Sequence, residues 1–203
     1  MAQQQLAETL ESIKSYAVQH HVPIMEEQGI DELTQLLDQQ KPASILEIGA
    51  AIGFSAIKMA QALPVCKIDT IERDDSRFAQ AQKFIAESGY GERIHVFHAD
   101  ALEMDCSLLQ PSYDAIFIDA AKGQYERFFE KYETLLPEGG IIYCDNMLMH
   151  GMADQPLTDI PRRKRTMIRN IKKFREHMMD HPLYEVQLLP VGDGIMICKK
   201  KSL

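Results

Sequence analysis

The sequence predicts an α/β fold, a mostly parallel sheet covered by helices on both faces. Three observations carry this. Short apolar runs alternate with helically spaced segments between Ser44 and Cys144. No β-hairpin turn separates them, so successive strands are joined by crossovers and lie parallel. The chain is long enough, at 203 residues and 45% hydrophobic, to bury one sizeable core. The expected organisation is one domain over 1–203, a helical cap (1–40) followed by the core (41–203).

Leu6 to His20 carries Leu6, Leu10, Ile13 and Ala17 on one helical stripe. A turn at His21-Val22-Pro23 precedes a second helix, Ile30 to Leu37. Ser44 to Ile48 ends in glycine and reads as a buried strand. Phe54 to Leu63 is helical, and Cys66 to Ile71 is a strand. Asp74-Asp75-Ser76 supplies a cap for a helix running to Ser88, which Gly89 stops. Ile94 to His98 and Tyr113 to Ile118 are strands. Gln124 to Leu136 is a helix closed by Pro137, and Ile141 to Cys144 is the fifth strand. A long helix, Ile160 to Met179, precedes Tyr184 to Leu189 and Gly194 to Lys199. The turn-rich Pro190-Val191-Gly192-Asp193 makes that last pair an antiparallel hairpin.

Composition narrows the function. With 11 Gly, 9 Pro and 4 Cys, the chain is neither collagen-like, disordered nor disulfide-stapled. No apolar run approaches the ~20 residues of a membrane helix. The first residues lack the basic start and apolar centre of a signal peptide. Cys66, Cys106, Cys144 and Cys198 show no CxxC spacing and mostly fall in apolar runs, so a reducing, cytoplasmic setting is expected. The net charge of −8 speaks against a basic nucleic-acid-binding surface spread over the whole molecule.

Ligands of open parallel sheets bind at the carboxyl ends of the strands. There the sequence places Glu47-Ile48-Gly49-Ala50-Ala51-Ile52-Gly53-Phe54-Ser55, a small-residue loop opening a helix. Glu72, 23 residues after Gly49, ends the second strand, where a carboxylate can accept both hydroxyls of a ribose. Asp100 follows the third strand and can accept from an adenine amino group. The loop is not GxGxxG and no Gly-Lys-Ser/Thr follows, so neither a dinucleotide nor a phosphate-loop ATPase is indicated. Tight-turn glycines and a solvated glutamate would explain each feature singly. Asp119 ends the fourth strand and Asp145-Asn146 the fifth. Three hard oxygen donors without Cys or a close His suit Mg²⁺, or Mn²⁺.

LEIGAAIGFSAI, TIERD, HADA, YDAIFIDAAKGQY, LPEGGIIYCDN and GDGIMICKK together resemble the cation-dependent O-methyltransferases of the catechol O-methyltransferase class, which are class I S-adenosylmethionine enzymes. The motifs run in the family's order from about Val22 to Lys200. The resemblance implies a Rossmann-like seven-stranded sheet whose last strand is antiparallel, preceded by N-terminal helices that are candidate elements of a homodimer. It implies a cofactor site at Glu47, Gly49, Ser55, Glu72, Asp100 and Ala101, with Met25, Ala51, Gly53, Arg73 and Asp119. It places a divalent metal on Asp119, Asp145 and Asn146, and a proton acceptor at Lys122, which otherwise reads as a solvated loop lysine. Catalysis then falls to Lys122 and Asp119. Many plant-type members carry Asp-Ala-Asp-Lys where this chain has Asp119-Ala120-Ala121-Lys122, so one family carboxylate is missing.

Charge is unevenly spread. Arg162 to Arg175 reads RRKRTMIRNIKKFR, with eight basic residues and no acid. Without those eight, the 22 basic groups fall to 14 against 30 acidic ones, a net −16. Ile168, Ile171, Phe174 and Met178 form the apolar stripe, which turns the cations outward. A solvated basic face is one reading; a phosphate-rich substrate is the other. Val22-Pro23-Ile24-Met25, Asp-Ala-Ala-Lys-Gly-Gln-Tyr and RRKRT resemble the bacterial branch that methylates 5-hydroxyuridine at the tRNA wobble position. That implies an anticodon loop held by Arg162, Arg163, Lys164, Arg165 and Arg169. The alternatives are a small-molecule methyltransferase acting on catechols or other vicinal phenols, which needs no basic helix, and a noncatalytic RNA-binding or scaffold protein, against which Asp119, Lys122, Asp145 and Asn146 speak. His150, after the fifth strand, reads as a surface histidine or a substrate contact.

Overall fold

Strand formation follows the apolar runs closely in the computed structural model, which describes residues 2–202. The strands are β1 (Ser44–Ile48), β2 (Lys67–Glu72), β3 (Ile94–His98), β4 (Ala115–Ile118), β5 (Ile141–Cys144), β6 (Tyr184–Leu189) and β7 (Ile195–Lys200). The helices are α1 (Ala2–His20), α2 (Glu27–Gln40), α3 (Phe54–Ala62), α4 (Asp75–Ser88), α5 (Tyr125–Tyr132) and α6 (Arg165–Met179). They build a seven-stranded sheet of order β3-β2-β1-β4-β5-β7-β6, in which β7 alone runs antiparallel to its neighbours.

Alternate side chains of each strand feed two cores. Leu46 and Ile48 of β1 join Tyr125, Phe129, Ile168, Ile171 and Phe174 of α5 and α6 on one face. Ile45 joins residues of α1 to α4, among them Ile13, Ile30, Leu33, Leu37 and Phe84, on the other. Full burial of each large aliphatic chain contributes about 1.5–3 kcal/mol, which holds α2 despite its mostly polar composition.

Local chemistry sets the ends. Asp74 caps α4 by accepting from the Arg77 amide at 2.9 Å, and Gly89 closes it in the left-handed region at φ 80°. Tyr113 falls just outside β4, because its hydroxyl turns to Asp69 at 2.6 Å. The helix expected from Ile160 begins only at Arg165, after a 3-10 turn over Arg162–Lys164. The hairpin at β6–β7 forms in the expected sense. Among the described residues, no helix is long and apolar enough to cross a membrane.

Register positions the site. Ile48 pairs with both Ile71 and Ile118, Ile118 with Cys144, and Glu72 with His98. Residues just beyond these, Gly49, Ala99, Asp119 and Asp145, therefore stand in one row at the carboxyl edge. Strand order reverses between β1 and β4, the crevice where such sheets bind ligands.

Candidate active site

A cavity of about 610 Å³ opens along that row. It is large enough for a nucleoside-sized ligand with a substrate beside it. Met25, Gly49, Ala51, Ser55, Glu72, Arg73, Asp100, Ala101, Asp119, Lys122, Asp145 and Asn146 all line it. Glu47 and Gly53 do not; they lie one layer beneath and shape the loop.

Gly49 has φ 107°, and a Cβ there would stand 2.4 Å from the carbonyl oxygen of Asp119. Only glycine lets the loop lie this close to the end of β4. Ala51 holds a left-handed φ of 45°. Its amide is tied to Glu72 Oε2 at 2.9 Å. Glu72 Oε1 accepts the amides of Arg73 and Asp74, each at 2.9 Å. Three backbone donors thus fix a carboxylate that is only 8% exposed; Oε1 takes two of them and Oε2 one, which leaves a lone pair on Oε2 for a ligand. Beneath the loop, Glu47 accepts from Ser55 and, at 2.5 Å, from Thr70. Burial raises the Glu47 carboxyl to about 7 against the opposing effect of those two bonds.

At the far wall, Asp100 Oδ1 accepts the Leu102 amide at 2.9 Å and Oδ2 meets Arg73 at 3.2 Å. The Leu102 amide holds this carboxyl below its usual range. Helix α5 supports the same loop: Lys131 Nζ donates to the carbonyls of Leu102 and Met104, and Tyr132 to that of Ala101.

The opposite corner gathers the oxygen donors. Asp119 and Asp145 are neighbours across β4 and β5, tied by the Asp145 amide to the Ile118 carbonyl at 3.1 Å. Asp145 is 3% exposed, and its carboxyl is pushed well above the usual carboxylate range, first by burial and then by the charge of Asp119. Lys122 Nζ donates to Asp119 Oδ1 at 2.7 Å. Tyr125, fully buried, donates its hydroxyl to the Asp145 carbonyl at 2.7 Å. The side-chain oxygen of Asn146 is buried with no hydrogen-bond partner among the described residues. Two crowded carboxylates beside an acceptor without a donor suit a hard cation. Among the described residues, no cluster of three His, Cys, Asp or Glu groups forms a metal site; the third oxygen here is an amide.

Two lining residues, Asp193 and Glu26, went unassigned in the sequence reading. Asp193 touches both Asn146 and His150. Its one sequence signal is an acid between Gly192 and Gly194. His150, read as a surface histidine or a substrate contact, is exposed and stands at the cavity between Glu26 and Asp193.

The basic segment divides, with Lys164 half-buried and turned to the Met152 sulfur. Arg165 is spent on the carbonyls of Ile160 and Thr158, Lys172 on Gln155, and Arg175 on Met147 and Asp154. Arg162, Arg163, Arg169 and Lys173 are exposed and make no ion pair or side-chain hydrogen bond among the described residues. None of the basic residues of this segment lines the cavity. Their helix nevertheless abuts the Lys122 loop, because Asn170 Nδ2 donates to the Gly123 carbonyl at 3.0 Å.

Comparison with known proteins agrees with this geometry. The sequence model of the family described as O-methyltransferase matches residues 2–201. A caffeoyl-CoA O-methyltransferase of Populus kitakamiensis is 28% identical over 185 residues, 88% of this chain and 77% of the relative. A solved structure from Staphylococcus aureus, provisionally described as a caffeoyl-CoA O-methyltransferase, is 31% identical with a TM-score of 0.87, covering 94% of this chain and 91% of its own. An O-methyltransferase from Bacillus cereus, solved in complex with SAH, is 25% identical with a TM-score of 0.80, covering 95% and 91%. With the strand order, the glycine loop and the carboxylate corner in place, the match over nearly the whole chain establishes that this protein belongs to the O-methyltransferase family.

Proposed function

We propose that the protein methylates the 5-hydroxyl of 5-hydroxyuridine in tRNA, at the wobble position, using S-adenosylmethionine and a divalent cation, and gives 5-methoxyuridine. The observation that carries the substrate is the division of the basic segment. Arg162, Arg163, Arg169 and Lys173 are free, yet they lie outside the cavity lining. A compact phenol inside the cavity gains nothing from cations outside it. A polyanion can seat one base in the cavity and lay its phosphates on α6 and the turn before it.

The cofactor supplies a methyl group already activated on a sulfonium. Glu72 would take its ribose hydroxyls, with the glycine loop against it and Asp100 at the adenine side. Asp119, Asp145 and Asn146 would hold the cation, which makes a nearby hydroxyl more acidic. The remaining work belongs to side chains. Lys122 stands 2.7 Å from Asp119 and reaches the corner where the substrate hydroxyl would lie. Once deprotonated, its amine can accept that proton. Alignment of hydroxyl and methyl within one cavity would supply much of the rate.

Methyl transfer to hypomodified bacterial tRNA, with and without Mg²⁺ and followed by nucleoside mass analysis, tests this. Caffeoyl-CoA and catechol run in parallel. Methylated 5-hydroxyuridine is expected, while efficient caffeoyl-CoA or catechol turnover with unmodified tRNA refutes the RNA reading. Four free cations also predict a log Kd against log salt slope of about 3 for a single-stranded loop. Replacing Arg162 and Arg163 by alanine should bring the slope down to about 1.5.

A further inference from the structure

The nitrogen and oxygen of an amide side chain exchange places at almost no steric cost, so the neighbours decide which way it points. Asn146 has one decisive neighbour. Asp193, 6% exposed in the turn before β7, places Oδ2 at 3.2 Å from Asn146 Nδ2. A carboxylate only accepts. It therefore takes the NH₂ end and leaves the buried Asn146 oxygen without a partner, a cost of about 1–3 kcal/mol unless something else satisfies it. The other oxygen of Asp193 accepts the backbone amide of His150. That bond braces a turn in which Asn146, Met149 and His150 all hold left-handed φ of 60°, 49° and 52°. Amides of Met147 and Leu148 donate to the carbonyls of Gly194 and Asp193 at 3.0 and 2.8 Å. At Gly194 a Cβ would meet Leu148 Cγ at 2.6 Å. The two turns leave each other no slack.

We infer that Asp193 is a positioning residue: it fixes the Asn146 amide with its oxygen free for the cavity, completing a three-oxygen donor set with Asp119 and Asp145 for a hard divalent cation. The inference rests on the cation reading given above. It also accounts for an acid, rather than an amide, at 193. Two N–H donors converge on this side chain, and an amide offers one oxygen. With an amide there, Asn146 is free to turn its NH₂ toward the cavity and away from a cation's needs.

Mn²⁺ binding to the full-length protein, followed by the loss of the free-ion electron paramagnetic resonance signal, tests this without reference to turnover. Asp193→Asn should weaken Mn²⁺ binding roughly 10–100-fold, the range for outer partners of metal ligands. S-adenosylmethionine affinity, read by calorimetry, should stay within about twofold. Loss of the Asp193 charge alone would also weaken a cation, so the decisive variant is the exchange, Asn146→Asp together with Asp193→Asn. It conserves charge and restores the pairing in reverse: the new amide donates to the new carboxylate, whose other oxygen faces the cavity. The exchange should recover Mn²⁺ affinity to within about threefold of the native chain, or exceed it. Native-like Mn²⁺ binding by Asp193→Asn overturns the inference. So does an exchange variant that melts like the native protein yet binds Mn²⁺ no better than Asp193→Asn. Should the native protein itself bind no Mn²⁺ at millimolar concentration, the cation reading falls, and the inference with it.

Discussion

Glu47→Gln isolates one buried proton. Glu47 is fully buried, and its carboxyl is raised from 4.5 to about 7, chiefly by burial. A carboxyl raised on folding binds its proton more tightly in the native state. Its contribution is therefore intact below the unfolded value and is lost as pH climbs through the folded one. A difference of about 2.5 units at about 1.4 kcal/mol per unit gives a stability loss of about 3 kcal/mol between pH 4.5 and pH 7. Gln carries no such proton. It keeps one acceptor for the hydroxyls of Ser55 and Thr70, and one of these can turn to accept from its NH₂. Urea unfolding of both proteins from pH 4.5 to 8.5 measures the difference directly, since most other titrations cancel. The variant should gain up to about 3 kcal/mol relative to the native chain across this interval. A difference that stays flat within 0.5 kcal/mol, or one that moves against the variant as pH rises, would mean that Glu47 is ionised throughout and that burial does not govern it.

Other perturbations have single causes. Gly49→Ala puts a methyl 2.4 Å from the Asp119 carbonyl at a φ of 107°, so it should cost about 2–4 kcal/mol in thermal or urea unfolding and weaken S-adenosylmethionine binding at least tenfold. Tyr125→Phe strips the buried Asp145 carbonyl of its donor and should destabilise by about 1–3 kcal/mol, read in the same unfolding experiment. Lys122→Met should lower kcat by about 10²–10⁴ with cofactor affinity unchanged, as the loss of a proton acceptor requires. Asp145→Ala should abolish Mg²⁺-dependent turnover and leave calorimetric S-adenosylmethionine binding near the native value.

Much of the sheet was legible because its strands are apolar runs bounded by turn residues. β1, β3, β5 and β6 fall on the predicted residues. What misled at β4 was Tyr113, whose apolar ring suits a strand but whose hydroxyl is drawn to Asp69 of β2, two strands away. The late start of α6 has a similar origin: Arg165 turns back to the carbonyls of Thr158 and Ile160, and the residues before it wind as a 3-10 turn. Within the site, side chains at strand ends could be read from order and spacing. Asp193 could not, because its partner Asn146 lies 47 positions earlier and meets it only after β7 inserts antiparallel beside β5.

The basic run shows how far a count of charges goes. The sequence gives a local +8 on a body of −16. In the fold, three of those cations already serve the protein: Arg165, Lys172 and Arg175 satisfy carbonyls along residues 147–160 and pair with Asp154, pinning the segment that links β5 to α6. Their role is to hold that segment against the helix, so neutralising them should unfasten the connection before it weakens any ligand. The four free cations differ in kind. Arg162 and Arg163 stand in the turn before α6, and Arg169 and Lys173 on α6 itself, whose Asn170 fastens the Gly123 carbonyl, one residue beyond Lys122. Under the proposed RNA reading, a phosphate chain seated on them would press on the element that braces Lys122, while the acidic body would repel that chain elsewhere. On the same reading, these cations would set both binding affinity and placement of the reacting base, and the acidity of the rest of the molecule would orient the chain.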